Sequence, residues 1–411
     1  MLQNCDPPKG MSLVGGVKSP YRYAMRAVRF SAFIMFLIWC AGLGAAAQFG
    51  KMSVVFSELA DLYAGHTAVG LGLIVSIVGI VGLVFGTTAG LFVARVGPRR
   101  AIVAALFMGA VMSALQSTGL SYPLMIASRV VEGVSHLAIV VVGPTVMAVM
   151  ASNQSRGFAM TVWSSFFGVT YTLLALFGPW QSETLFLGHA VWMACIGGAL
   201  AVMLPADPKS EATHDAGDLL QRHLSIYVSP NISAPAFGFF CYTFLYVACL
   251  TLVPPEVPIE ERAIVAAGMP LISITVSLTL GVWLLRRIRA FQLVQLGYVA
   301  AAPGFVALAL GWGSGPLMTL AALWLSSALG LVQGASFASI PELNQTSDDR
   351  AMSAGAIAQL GNLGTSSGTP VLAAVLAGQG PWGLALVAVM ACLLGIALHA
   401  VQARRRQILS T

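Results

Sequence analysis

The chain has 411 residues, of which 57% are hydrophobic and only 9% are charged, with a formal net charge of +6. A soluble domain carries about 25% charged residues, so this composition excludes an ordinary soluble enzyme and predicts an integral membrane protein. The surplus of basic residues implies no nucleic-acid partner, because basic residues at the cytoplasmic ends of membrane helices produce the same charge. The six cysteines are scattered and form no CxxC pair, which argues against a disulfide framework or a zinc site.

Apolar stretches long enough to cross a bilayer, which takes about 20 residues of helix, recur along the whole chain. The longest polar interruption, at 206–231, separates them into two groups and predicts a cytoplasmic linker. The twelve predicted spans are 30–56, 66–93, 99–118, 121–149, 157–179, 185–204, 232–254, 263–285, 291–311, 316–340, 352–377 and 382–402. The predicted regions are a cytoplasmic N-terminal region (1–28), a six-helix half (29–205), the linker (206–231), a second six-helix half (232–403) and a cytoplasmic tail (404–411).

The basic residues predict how these spans are oriented. With both termini in the cytoplasm, nearly all of the 21 Lys and Arg residues lie on the cytoplasmic side, and only Lys51 and Arg262 lie at outer ends of spans. Membrane proteins concentrate basic residues in their cytoplasmic loops, so this orientation is favoured over its inverse. We expect a multi-pass protein of the bacterial inner membrane.

Three motifs recur in the same order in the two groups of spans. The pairs are GLFVARVGPRR (90–100) with GVWLLRRIRA (281–290), VVEGVS (130–135) with LVQGAS (331–336), and SNQSRGFAM (152–160) with LNQTSDDRAM (343–352). Such an internal repeat is typical of transporters built from duplicated halves. It predicts a substrate site between the halves, near the middle of the bilayer.

At these residues the chain resembles the major facilitator superfamily of secondary transporters, over residues 28–403. The family's cytoplasmic loop signature is matched by five residues, although Ala94 stands at its acidic position. These five are Gly90, Arg95, Gly97, Arg99 and Arg100. Arg129 with Gly133 resembles the fourth-helix signature that the family often links to proton coupling. The resemblance implies an all-α fold of twelve helices in two pseudo-repeated halves. The family's drug-antiporter signature on the fifth helix is matched only at FGPW (177–180). This poor match favours uptake over efflux.

Three ionisable residues share one face of the fourth predicted span. Arg129, Glu132 and His136 project within about a 60° arc of the helix. Ionised groups cost several kcal/mol at the centre of a bilayer, so this face should meet protein or water. Glu132 is either the partner of Arg129 in a structural ion pair or a proton acceptor. His136 is either a neutral, hydrogen-bonded core histidine or a pH-sensitive ligand.

The repeat shows that the backbone does not require these charges. The equivalents of Arg129, Glu132 and His136 in the second group of spans are Gly330, Gln333 and Phe337. Function is expected where two copies of one framework differ. The three charges therefore indicate a specialised role in the first half.

Two polar residues of the first predicted span share a face with Gly44. Lys51 lies near the outer end, where a lysine commonly extends to the interface, but it could instead join Arg129 in attracting an anionic group of the substrate. Gln48 could hydrogen-bond Arg129, because the resembled family packs these two helices together. Both residues are candidates for the substrate or proton pathway.

Aromatic and amide side chains supply the remaining candidates. The aromatic residues recur at four-residue steps or close to it on spans five and seven, and are typical of packing or of a cavity lining. They are Trp163, Phe167 and Tyr171, and Phe239, Tyr242 and Tyr246. Gln359, Asn362 and Ser366 recur at helical spacing on span eleven and could bond other helices or a polar ligand. A flat heteroaromatic vitamin such as riboflavin would use both sets, and a small organic anion is the other candidate substrate.

These observations predict a secondary active transporter that imports a small organic nutrient by alternating access. Import would be driven by the nutrient's own gradient or by protons, as in a symporter. A drug or metabolite efflux transporter is one alternative, and a transporter-like receptor or assembly protein that moves no solute is another. The sequence contains no HExxH motif, phosphate-binding loop or nucleophile elbow. GLGAAAQFG (42–50) superficially resembles a dinucleotide-binding loop, but it lies within a span rather than after a strand. We expect a monomer in the lipid bilayer without a cofactor or metal.

Overall fold

The computed structural model describes residues 20–86, 88–151, 156–178, 180–207, 224 and 226–410, and every regular element within them is helical. The helices before the predicted linker are α1 Pro20–Val54, α2 Phe56–Leu62, α3 Ala68–Ser76, α4 Ile80–Phe85, α5 Ala89–Val96, α6 Pro98–Gln116, α7 Tyr122–Met150, α8 Arg156–Ser164, α9 Phe166–Leu176 and α10 Ser182–Met203. Those after it are α11 Pro230–Leu252, α12 Ile259–Val276, α13 Val282–Leu284, α14 Ala290–Leu310, α15 Gly315–Leu343 and α16 Ser347–Ser410.

Ten stretches of the described chain are long and apolar enough to cross a membrane. The prediction of an all-α membrane protein is therefore confirmed. The fifth predicted span is not among the ten, because it is divided at Ser165 into the short helices α8 and α9. The count of twelve stays a prediction, as do the boundaries of the two halves. Residues 1–19 and most of the predicted linker lie outside the described residues.

The last of the ten stretches, Met352–Ile408, contains two antiparallel helices. A single helix of its 57 residues would be about 86 Å long, nearly three times the thickness of the hydrocarbon core. The chain turns at Gly380, whose φ of 69° favours glycine, and Pro381 follows at a position that suits the start of a helix. Gly361 and His399, each 19 residues from Gly380, pack against Phe239 and Gly238 of α11. The stretch thus accounts for predicted spans eleven and twelve.

The helical bundle has two ends, called here the Val54 end and the Gly97 end after one residue at each. The Val54 end holds the C-terminal ends of α1 and α11, where the hydroxyl of Thr251 donates to Ser53 Oγ at 2.8 Å. Ser53 Oγ also lies 3.2 Å from the hydroxyl of Tyr171 on α9. The Gly97 end holds the first residues of α6 and α11. At the Val54 end, α1, α9 and α11 are therefore joined by hydrogen bonds.

A stripe of small residues along α3 and α4 contacts 347–379, the first arm of α16. Gly72 lies against Pro370, and Gly79 lies against Ser366. Ser76 Oγ donates to the carbonyl oxygen of Ser366 at 3.0 Å. Small residues let membrane helices approach until their backbones touch. This contact joins helices from the two predicted halves.

Gly368 tests how closely these helices must pack. A Cβ at Gly368 would overlap the carbonyl oxygen of Phe244 on α11, whereas a Cβ at Gly378 would meet nothing within 4 Å. We expect Gly368→Ala to lower the melting temperature of the purified protein, since forcing atoms into a packed core costs about 1–3 kcal/mol. Gly378→Ala is the matched control and should leave it unchanged or raise it slightly. Equal melting temperatures for the two variants would contradict this packing.

Candidate functional site

The three ionisable residues of α7 are buried inside the first predicted half. Arg129 and Glu132 are fully buried, and His136 is 8% exposed. They lie on the face of α7 that contacts α1 and the junction of α3 with α4. The expectation that this face meets protein rather than lipid is therefore confirmed.

The carboxylate of Glu132 is the centre of a hydrogen-bonded cluster. Its Oε1 accepts from Lys51 Nζ at 2.7 Å. Its Oε2 accepts from Gln116 Nε2 at 3.0 Å and from Arg129 Nη1. Every one of these contacts is with a donor, which suits an ionised carboxylate. The ion pair that one interpretation of Glu132 requires is present, and a role in proton transfer stays a prediction.

Lys51 is fully buried, so the interpretation that it extends to the membrane interface is wrong. Its ammonium donates to Glu132 Oε1, to Gln116 Oε1 at 2.7 Å and to Ser113 Oγ at 2.8 Å. An ammonium has three hydrogens, and these three acceptors use all of them. The acceptors lie on α6 and α7, more than 60 residues away in sequence, so spacing along α1 does not reveal them.

Arg129 holds the backbone of a neighbouring helix. Its Nε donates to the carbonyl oxygen of Ile74 at 2.8 Å, and its Nη2 donates to that of Val75 at 3.0 Å. These carbonyls precede the 3₁₀ turn Ile77–Gly79, where α3 ends and α4 follows. The predicted bond from Gln48 to Arg129 is wrong. Gln48 Nε2 instead donates to Ser135 Oγ at 3.0 Å.

His189 on α10 belongs to the cluster, although the sequence patterns do not indicate it as a candidate. Its Nε2 lies 3.0 Å from the carbonyl oxygen of Gly44, and its Nδ1 lies 2.9 Å from Ser113 Oγ. Lys51 Nζ is 3.4 Å from the same Nδ1. The available signal was a polar residue in an otherwise apolar span, which also applies to Ser113 and Gln116. The periodicity within a single helix could not show that α6 and α10 meet at Lys51.

His136 lies at the margin of the cluster and does not contact Lys51. Its Nδ1 is 3.0 Å from the carbonyl oxygen of Ala45, and its ring meets Phe49 edge-on at 5.1 Å. This is the hydrogen-bonded core histidine of one interpretation. In the described part of the chain, no group of three His, Cys, Asp or Glu residues could hold a metal ion.

The aromatic candidates are mostly buried. Trp163 packs against Gly42 and Gly143. Tyr171 stacks on Phe167 with ring centres 5.1 Å apart. Tyr242 and Tyr246 stack on each other at 5.0 Å, and both are 3% exposed. In contrast, Phe337, the repeat equivalent of His136, is 46% exposed and meets Phe239 edge-on.

The amide candidates on α16 lie where it contacts α4. Gln359 Nε2 donates to the carbonyl oxygen of Leu83 at 2.9 Å, and its Oε1 accepts from the Tyr227 hydroxyl at 2.6 Å. Asn362 packs against Gly82 and donates to its own helix. Gln333 is partly exposed on α15. These three residues are separate from the charged cluster.

The loop that resembles the family signature is held by an acid from elsewhere in the chain. Asp207 accepts from the backbone N–H groups of Arg99 at 2.8 Å and Arg100 at 3.0 Å. Gly97, with a φ of 96°, precedes this first turn of α6, while Gly90 and Arg95 are exposed. A carboxylate at a helix N-terminus satisfies free N–H groups and complements the helix dipole. Asp207 thus places a carboxylate at a loop whose usual acidic position is Ala94.

Residues 30–368 match the model of the Major Facilitator Superfamily. The chain belongs to this family. Its members are transporters, so the chain is a multi-pass membrane protein with the architecture of a secondary transporter. The resemblance found in the loop and fourth-span signatures is confirmed.

Solved structures agree with this fold. A bacterial homologue of the human lysosomal transporter Spinster, inward-facing and unoccupied, superimposes with a TM-score of 0.71 at 11% identity, covering 91% of this chain and 97% of that one. The human organic anion transporter MFSD10 gives 0.69 at 19%, covering 90% and 99%. The Escherichia coli fucose:proton symporter FucP gives 0.61 at 15%, with the same coverage. Identities this low show the fold alone.

One curated relative matches over part of its length. The inner membrane transport protein YajR of Escherichia coli (strain K12) is 24% identical over 191 residues. The match covers 45% of this chain and 42% of YajR, so it spans less than half of either protein.

The cluster predicts unequal effects for its charged members. Glu132→Ala leaves two buried cations without their anion, and we expect it to destabilise the protein by about 3–5 kcal/mol. Lys51→Met leaves the balanced pair of Arg129 and Glu132, so it should cost less. Melting temperatures of the purified variants check the order. A Lys51→Met variant less stable than Glu132→Ala would contradict the arrangement.

Proposed function

We propose that this transporter imports a small organic solute across the bacterial inner membrane, coupled to protons. The observation that carries the proposal is the fully buried cluster of Lys51, Glu132 and Arg129. Ionisable groups at membrane depth are costly and mark ion or substrate pathways in transporters.

The cost of the cluster supports a functional role for it. Well-packed apolar residues of similar volume often replace a buried ion pair without loss of stability, so packing alone gives little reason to keep one. The repeat equivalents of Arg129 and Glu132 are Gly330 and Gln333, so the same framework exists without the charges. The first half is therefore the better candidate for ion coupling, and the second half for binding the solute.

The arginines support a cytoplasmic location for the Gly97 end. Arg100 lies there beside Asp207. Arg406, near the end of α16, donates to the carbonyl oxygen of Pro230 at the start of α11. Basic residues favour the cytoplasmic side. The hydrogen bonds that join Ser53, Tyr171 and Thr251 would then lie at the outer end, as an outer closure that must open once in each cycle of alternating access.

The aromatic and amide residues favour a flat aromatic or heteroaromatic solute with a polar edge. Phe239 meets Phe337 edge-on, and Gln333 lies one helical turn before Phe337 on α15. Gln359 and Asn362 lie on the neighbouring first arm of α16. A vitamin such as riboflavin fits this chemistry, as does a small aromatic carboxylate. MFSD10 is described as an organic anion transporter and FucP as a proton symporter, so both kinds of transport occur on this fold.

Transport in proteoliposomes tests the function. We expect uptake of riboflavin, or of an aromatic carboxylate, to rise when a proton gradient directed into the vesicles is imposed.

Glu132→Gln should abolish accumulation against a gradient, because it removes the anion that organises the cluster. Glu183→Gln is the matched control, since that carboxylate is exposed on α10. Gradient-driven accumulation by Glu132→Gln would contradict proton coupling through the cluster. Export of a cationic dye without uptake of either solute would contradict import.

A further inference from the structure

Ser113 lies between two nitrogens that can each carry an exchangeable proton. Its Oγ accepts from Lys51 Nζ at 2.8 Å and lies 2.9 Å from His189 Nδ1. All three residues are buried and come from three different helices. A hydroxyl both donates and accepts, so it can bridge a donor on one side and an acceptor on the other.

The charges of the cluster determine which group can release a proton. Arg129 and Lys51 supply two cations, and Glu132 supplies the one anion. Arg129 keeps its proton in proteins, and Glu132 is surrounded by donors. Among the described residues that face Lys51, α6 supplies only the neutral Ser113 and Gln116, and α10 supplies His189. His136 bonds to Ala45 instead. Lys51 and His189 are thus the two groups between which a proton can move.

The hydrogen bonds of His189 indicate which of its nitrogens receives the proton. Nε2 faces the carbonyl oxygen of Gly44, which can only accept, so Nε2 carries a hydrogen. Nδ1 is then the free acceptor of the neutral ring. The single hydroxyl hydrogen of Ser113 has two acceptors in reach, the carbonyl oxygen of Phe186 at 2.8 Å and this Nδ1. Rotation of the hydroxyl therefore connects or disconnects Lys51 and His189.

We propose that Ser113 relays a proton between Lys51 and His189. In the transfer, the N–H bond of the Lys51 ammonium breaks as its proton joins Ser113 Oγ. The former hydroxyl proton of Ser113 passes to His189 Nδ1. Lys51 becomes a neutral amine, His189 becomes an imidazolium, and the net charge of the cluster is unchanged. Lys51 keeps two N–H bonds for Gln116 and Glu132, and the carbonyl oxygen of Phe186 loses the Ser113 hydroxyl only while that hydroxyl points to His189.

The inference rests on the proposed proton coupling, but its test requires no transport. The chain has four lysines and six histidines, so isotope labels on lysine Nζ and histidine ring nitrogens give few NMR signals. The sample is the full chain in lipid nanodiscs. Lys51→Arg and His189→Gln identify the two signals by their loss. If the proton is relayed, Lys51 Nζ and His189 Nδ1 are both partly protonated in the same pH range. The fraction of Lys51 present as ammonium and the fraction of His189 present as imidazolium then add to about one.

Serine variants test the relay itself. In Ser113→Ala we expect a full ammonium at Lys51 and a neutral ring at His189, because the remaining 3.4 Å between the nitrogens lacks a bridging hydroxyl. Ser336→Ala, which removes a buried serine of α15, should leave the wild-type signals unchanged. A full ammonium together with a neutral ring in the wild type at every pH would overturn the inference, whether or not Ser113→Ala folds. Shared protonation that survives in Ser113→Ala would exclude Ser113 as the relay. Either result leaves the transport assays to decide the proposed function separately.

Discussion

The carboxylate of Glu132 is the interaction on which the first part of the molecule depends. It receives donors from α1, α6 and its own helix α7, so one side chain joins three helices. Membrane helices gain no hydrophobic driving force from packing against each other, so close packing and interhelical hydrogen bonds must hold them together. Removing the acceptor would leave the buried charges of Lys51 and Arg129 without an anion. Glu132 therefore supplies the one anion of the cluster through which α1, α6 and α7 are joined, beside the neutral bonds of Lys51 to α6 and of Gln48 to α7.

Arg129 extends this influence to the contact between the predicted halves. It donates to the carbonyl oxygens of Ile74 and Val75 at the end of α3. The adjacent Ser76 donates across to the first arm of α16, and Gly72 and Gly79 pack against the same arm. The charged cluster and the contact with the first arm of α16 are thus separated by a single helix, α3. A change in the cluster has a short physical route to the second half.

The two repeat copies show how one framework carries different chemistry. GLFVARVGPRR (90–100) and GVWLLRRIRA (281–290) are offset by 191 residues, which pairs Arg99 with Ala290. Both backbone N–H groups bond a carboxylate from another part of the chain. The acid is Asp207 in the first copy and Glu342 from the end of α15 in the second. The need to satisfy a helix N-terminus is common to both copies, whereas the source of the acid is not. Buried charge, in contrast, occurs at Arg129 and Glu132 but not at their equivalents.

The sequence by itself determined the membrane class and the family, and it predicted the spans and the repeat, because apolar length, basic loops and motif order are properties of the chain read in one dimension. It also identified Arg129, Glu132 and His136 as one helix face, since a helical period relates residues a few positions apart. It did not reveal the partners of Lys51, the role of His189 or the acid at the α6 N-terminus. Each of those depends on side chains far apart in sequence that meet only when helices pack. The tertiary structure alone decided that Lys51 is a buried member of a charged cluster, because its acceptors come from other helices.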